Sequence, residues 1–220
     1  MARAGTTKTE TDVPAPPPAP AQLSGAEVGS AAQRERRRRI LDATLALASK
    51  GGYDAVQMRA VADKADVAVG TLYRYFPSKV HLLVTALARE LEKVESRADR
   101  NVLLGDTAVE RLRFVLDMIT LAMQKDPLLT EAMTRAFMFA DASATSEVNR
   151  VATIIDRLLA GAMIDDSDPK AEPSAQDLAI ARVISDVWMS NLVQWLTRRA
   201  SATDVTNRME LTVKLLLDRD

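Results

Sequence analysis

From Val67 to Lys79 the chain reads Val-Ala-Val-Gly-Thr-Leu-Tyr-Arg-Tyr-Phe-Pro-Ser-Lys, a short aromatic and basic helix between two turn signals. Thr71, Tyr73, Arg74 and Tyr75 bring hydroxyls and a guanidinium close together on it. The chemistry open to such a set is hydrogen bonding and charge pairing, and its natural counterparts are the phosphate oxygens and base edges of a major groove. Leu72 and Phe76, spaced i and i+4, supply the face that packs back on the protein. Val69 and Gly70 open the helix, and Lys79 follows it after Pro77-Ser78. Upstream, Gln57 to Lys64, carrying Arg59, reads as a helix of about two turns ended by a tight turn at Ala65-Asp66-Val67, and two short helices so joined form a helix-turn-helix.

Bond-making chemistry finds little support. The chain has no Cys, which excludes disulfides, thiolate catalysis and zinc-thiolate sites. Its one histidine, His81, rules out a two-histidine metal site and adjoins a helix start rather than an evident acid partner, so it reads as a packing residue. There is no Glu-x-x-His pair for a di-iron bundle and no Gly-rich phosphate loop. The expectation is a non-enzymatic protein without a cofactor or metal. No apolar run approaches the roughly 18 residues of a membrane span and no signal pattern opens the chain, so a cytoplasmic protein without membrane contact is expected.

The net charge of −1 over 220 residues conceals a division. Residues 31–82 hold ten Lys or Arg against five Asp or Glu, a net +5; residues 1–30 contribute −1, leaving −5 for residues 83–220. A basic head suits a polyanion and an acidic body does not. Arg34 and the run Arg36 to Arg39, with Arg37 and Arg38 at its centre, read either as a solvated basic helix start or as phosphate and minor-groove contacts.

With these residues in view, the motif Gly70-Thr71-Leu72-Tyr73-Arg74-Tyr75-Phe76-Pro77-Ser78-Lys79, preceded by Arg59-Ala60-Val61-Ala62, resembles the DNA-binding domain of TetR-type transcriptional repressors. The longer stretches Ala32 to Thr44 and Asn191 to Val205 resemble the sterol-catabolism repressors of that family. Two positions depart from the common pattern: Asp66 stands where a turn glycine is usual and Ala68 where a hydroxyl N-cap is usual. Asp tolerates a left-handed backbone, whereas a lost cap weakens a helix by roughly 1 kcal/mol.

Helical periodicity organises the rest, and the expected fold is all-α: an N-terminal three-helix helix-turn-helix DNA-binding domain followed by a helical ligand-binding and dimerisation domain. Residues 1–29, rich in Ala, Pro and Thr, read as a disordered arm, 30–82 as the DNA-binding domain and 83–220 as the body. The first helix stops at Gly51-Gly52. A long linking helix runs from Ser78 to about Arg97, and later helices span about 107–125, 128–140, 143–163, 174–199 and 204–217.

Seven of the nine Met fall in the body beside Phe114, Phe137, Phe139, Trp188 and Trp195. Such side chains fill an ordinary core and equally fit irregular apolar ligands. The family resemblance implies an effector cavity among the middle helices. Leu83, Leu87, Leu116, Ile119, Met133, Phe137, Leu158, Trp188 and Leu192 are the candidate lining, with Asn191 as a donor to a ligand carbonyl. It further implies a double-stranded DNA operator, a homodimer built by the last two helices, and an effector that is a steroid ketone or its coenzyme A thioester, with fatty acyl-CoA or lipophilic drugs as the alternative. Arg135, Arg182 and Arg198 are candidates for a basic mouth toward a nucleotide. Val183, Val187, Leu192, Val193, Leu196, Val213 and Leu217 are the apolar surplus assigned to the dimer face.

Overall fold

A computed structural model describes residues 31–97, 105–164 and 171–217. The expected arm at 1–29 lies outside the described residues. The described residues are helical and contain no strand, as the periodicity anticipates. Helix α1 (Ala31–Ala55) breaks where Gly51 and Gly52 leave helical geometry. Helices α2 (Met58–Ala65) and α3 (Val69–Tyr75) follow. Asp66, between them, takes the left-handed conformation at φ 52 and its N–H reaches Ala62 and Asp63 carbonyls. Ala68 opens α3 without a side-chain capping bond.

Helix α4 (Lys79–Arg97) starts where the His81 N–H donates to Ser78 Oγ at 3.0 Å. Helix α5 (Ala108–Gln124) is opened by a capping box in which Thr107 and Glu110 exchange side-chain-to-backbone bonds. Asp126 caps α6 (Pro127–Met138), which has proline in its first turn, where no N–H is needed. A 3-10 turn at Ala142–Ala144 leads into α7 (Thr145–Met163). Helix α8 (Ala175–Leu196) begins with a Ser174/Asp177 capping box and gives way, through Arg198 at φ 58, to α9 (Ala202–Leu217).

Helices α1 to α3 form a small head around Ile40, Leu41, Val56, Val61, Leu72 and Phe76, each at most 1% exposed. In the body α7 packs on α4, α5 and α8, while α9 closes against α5 and α8. Head and body share one continuous core: α1 lies along α6, and α4 contacts α1, α6 and α7. A guanidinium fastens the far end of the body. Arg111, 5% exposed, donates to the carbonyls of Ala162, Ile164 and Asp106, tying the start of α5 to the end of α7.

Candidate nucleic-acid interface and effector body

The recognition helix divides as its spacing implies. Leu72 and Phe76 are buried to 0% and 1% while Tyr73 is 49% exposed, with Arg74 and Gly70 also on the outside. Val69, Thr71 and Tyr75 are half-buried at the edges of that surface, and Arg59 is exposed on α2. A rigid apolar inner face thereby holds a hydroxyl- and guanidinium-bearing outer face, the arrangement that direct groove contact demands.

The flanking cations divide between solvent and protein. Arg34 is exposed near the start of α1. Arg38 is exposed but paired with Glu35 at 2.6 Å and Asp42 at 3.2 Å, contacts that solvent screens heavily. Arg37 keeps much of its surface open to water, yet its guanidinium stands 5.8 Å from the centroid of the Phe76 ring. Desolvation there, followed by the nearby Arg150, lowers its pKa from the ordinary arginine value. Lys79 is half-buried, and its Nζ lies 3.7 Å from the centroid of the Tyr53 ring, where desolvation pulls its pKa down. Tyr53, which sequence reasoning passed over, organises this corner; its only sequence signal is an aromatic directly after a Gly-Gly break.

His81 packs against the Phe76 ring at 6.0 Å between centroids and brings Nε2 to 3.4 Å from Glu147 Oε1. The histidine that showed no acid partner along the chain gains one across the α4–α7 contact. Two further pairs, Glu92 with Arg150 and Glu95 with Arg157, continue that seam.

The expected lining residues are inside the body. Leu83, Leu87, Leu116, Ile119, Met133, Trp188 and Leu192 belong to one buried cluster, and Phe137 packs against it half-buried. Leu158 is buried outside that cluster. The polar groups among them are few. Trp188 Nε1 donates to Thr120 Oγ1 at 3.1 Å. Asn191, expected to be available to a carbonyl, is committed: its amide donates to Val187 O, and Arg208 donates to its Oδ1. The Thr134 hydroxyl on α6 is buried and, among the described residues, unpartnered.

The three arginines considered for a basic mouth are scattered. Arg135 reaches the Tyr53 ring, Arg182 pairs with the buried Asp156, and Arg198 lines a surface hollow with Trp195, Arg199, Ala200, Ser201 and Asp204. That hollow includes none of the expected lining residues. On the last two helices Leu192 and Val213 face inward, whereas Leu178, Val183, Leu211 and Leu215 are exposed. Among the described residues no group of three His, Cys, Asp or Glu could hold a metal ion, and no helix is long and apolar enough to cross a membrane.

Comparison with known proteins agrees with this geometry over both halves. Residues 40–86 match the profile "Bacterial regulatory proteins, tetR family" and residues 105–216 match "Tetracyclin repressor-like, C-terminal domain". The HTH-type transcriptional repressor KstR of Rhodococcus jostii is 67% identical over 195 residues, covering 89% of each chain. KstR of Mycobacterium tuberculosis is 62% identical over 199 residues, 90% of this chain and 88% of its own. Among solved structures, a TetR transcriptional regulator from Rhodococcus sp. RHA1 superposes with a TM-score of 0.74 at 28% identity, over 87% of this chain and all of that one. FadR of Bacillus subtilis, solved with stearoyl-CoA, shares the fold at a TM-score of 0.57 and 19% identity, over 82% of this chain and 97% of that one.

Proposed function

We propose, for a chain that belongs to the TetR family of transcriptional regulators and closely resembles the KstR repressors, that it binds palindromic operators of sterol-catabolism genes as a homodimer. In this reading a steroid ketone or its coenzyme A thioester, bound in the body, releases it. The observation that carries the DNA-binding half is the division of α3 into a buried Leu72/Phe76 face and an exposed Tyr73/Arg74 face. Residues 30–82 serve as the DNA-binding domain and 83–220 as the effector and dimerisation body. The apolar residues exposed on α8 and α9 supply a face for a second copy, which would set two recognition helices about 34–36 Å apart or somewhat more along the duplex.

The effector half rests on the resemblance and on the interior. A set of large apolar side chains whose polar members are already bonded, Trp188 to Thr120 and Asn191 to Val187 and Arg208, suits a rigid, nearly apolar molecule. Because the interior is packed, such a molecule enters by displacing helices, and its binding energy is thereby coupled to the head.

Operator release tests this. A four-ring steroid ketone, its side-chain acid and its coenzyme A thioester are titrated beside straight-chain fatty acyl thioesters and lipophilic cations. Release by the steroid series at about micromolar concentration or better is expected. Leu116→Trp, a larger group at a buried position, should remove that response and leave DNA binding intact. Release by the fatty acyl compounds alone would overturn the sterol assignment.

A further inference from the structure

The most extensive packing between head and body runs from α6 directly onto α1. It includes the end of α1, at Gly52-Tyr53-Asp54. The Tyr53 N–H donates to Glu131 Oε2 at 3.0 Å, a bond across 78 residues of sequence. Arg135, one helical turn beyond Glu131, holds its guanidinium 4.3 Å from the centroid of the Tyr53 ring, and its Nη1 lies 3.6 Å from both Asp54 Oδ1 and Glu131 Oε1. Lys79, at the start of α4, lies over the same ring. Glycine suits position 52 because of its backbone, and the carboxylate lies close by. Its φ is +65, and a Cβ at this position would stand 2.9 Å from Glu131 Oε2.

The same helix has a second engagement. It also packs on α4, α5 and α8: Met133 and Ala136 are buried in the core that head and body share, Phe137 packs against it, and the Thr134 hydroxyl, unpartnered among the described residues, is buried beside them. One rigid element therefore carries a body-facing surface and, a fraction of a turn away, the groups that grip the head.

We propose that Glu131 and Arg135 are positioning residues for operator binding: through Tyr53 they fix the orientation of the helix-turn-helix on the body. The proposal rests on the reading of the chain as an effector-released repressor. Neither residue needs to touch DNA. The energy of the latch lies in a charge-assisted hydrogen bond and in cation–π contacts that are only partly screened.

The test uses the full-length protein and a duplex that the wild-type chain selects from random-sequence DNA. Glu131→Ala and Arg135→Ala should speed amide exchange at residues 51–56 and lower operator affinity by about fivefold or more, with the salt slope unchanged because no phosphate contact is lost. Glu131→Gln keeps an acceptor and Arg135→Lys keeps a cation, so both should restore most of the affinity; a role in overall stability alone would instead follow the melting temperature. Faster exchange with unaltered affinity would overturn the proposal. A salt slope lower by about two per dimer in Arg135→Ala would make that residue a phosphate contact and would equally overturn it. Failure of the repressor reading is distinguishable, because the wild-type chain would then select no duplex at all.

Discussion

Arg74→Ala separates reading DNA from holding the head together. Arg74 is exposed on a seven-residue helix whose inner face is fixed by Leu72 and Phe76, so its removal should change folding stability by no more than about 0.5 kcal/mol. If its guanidinium meets one phosphate, a dimer loses two contacts, and the slope of log affinity against log salt falls by about 1.8. Between about 50 and 200 mM salt, a fourfold change, the deficit of the variant relative to wild type should then shrink about twelvefold. Leu72→Ala provides the contrast on the same helix. A leucine at 0% exposure should cost about 2 to 5 kcal/mol, and its DNA defect should follow the unfolded fraction. Fluorescence-anisotropy isotherms at four or more salt concentrations, paired with urea unfolding, make the measurement. Parallel salt lines for wild type and Arg74→Ala would refute a phosphate contact, and unchanged affinity at every salt would refute the proposed surface.

Two further outcomes are expected. Arg111→Met removes a guanidinium that satisfies three backbone carbonyls between α5 and α7, so it should lower stability by about 3 kcal/mol as a urea-midpoint shift; a midpoint equal to wild type would show those carbonyls satisfied some other way. Deleting residues 1–29, a segment with too little apolar content to contribute a core, should preserve folding and most operator affinity in a mobility-shift titration, and extending the deletion through Arg39 should not.

The helices and their order were legible in the chain because their causes are local. The periodicity of Leu112, Val115, Leu116 and Ile119, the capping boxes at Thr107 and Ser174, and the break at Gly51-Gly52 are set by neighbours within a few residues. The inner and outer faces of α3 follow from i and i+4 spacing for the same reason, and the basic head and acidic body are properties of composition.

Tertiary packing decided which polar groups remain available. Lys79 read as a phosphate contact or an anchor at the helix start, and folding lays it over Tyr53; Asn191 read as a donor to a ligand carbonyl, but its amide donates to Val187 O and Arg208 engages its Oδ1. Leu192 and Val213 belonged to the apolar surplus of the last two helices, and the packing of α9 on α8 and α5 turns them inward, leaving Leu178, Val183, Leu211 and Leu215 outside. Arg135, weighed as part of a ligand mouth, is carried to the DNA-binding head instead. The physical reason is common to all four: a helix face is fixed by 3.6-residue geometry, whereas the partner that face meets lies tens of residues away and is chosen by how whole helices pack.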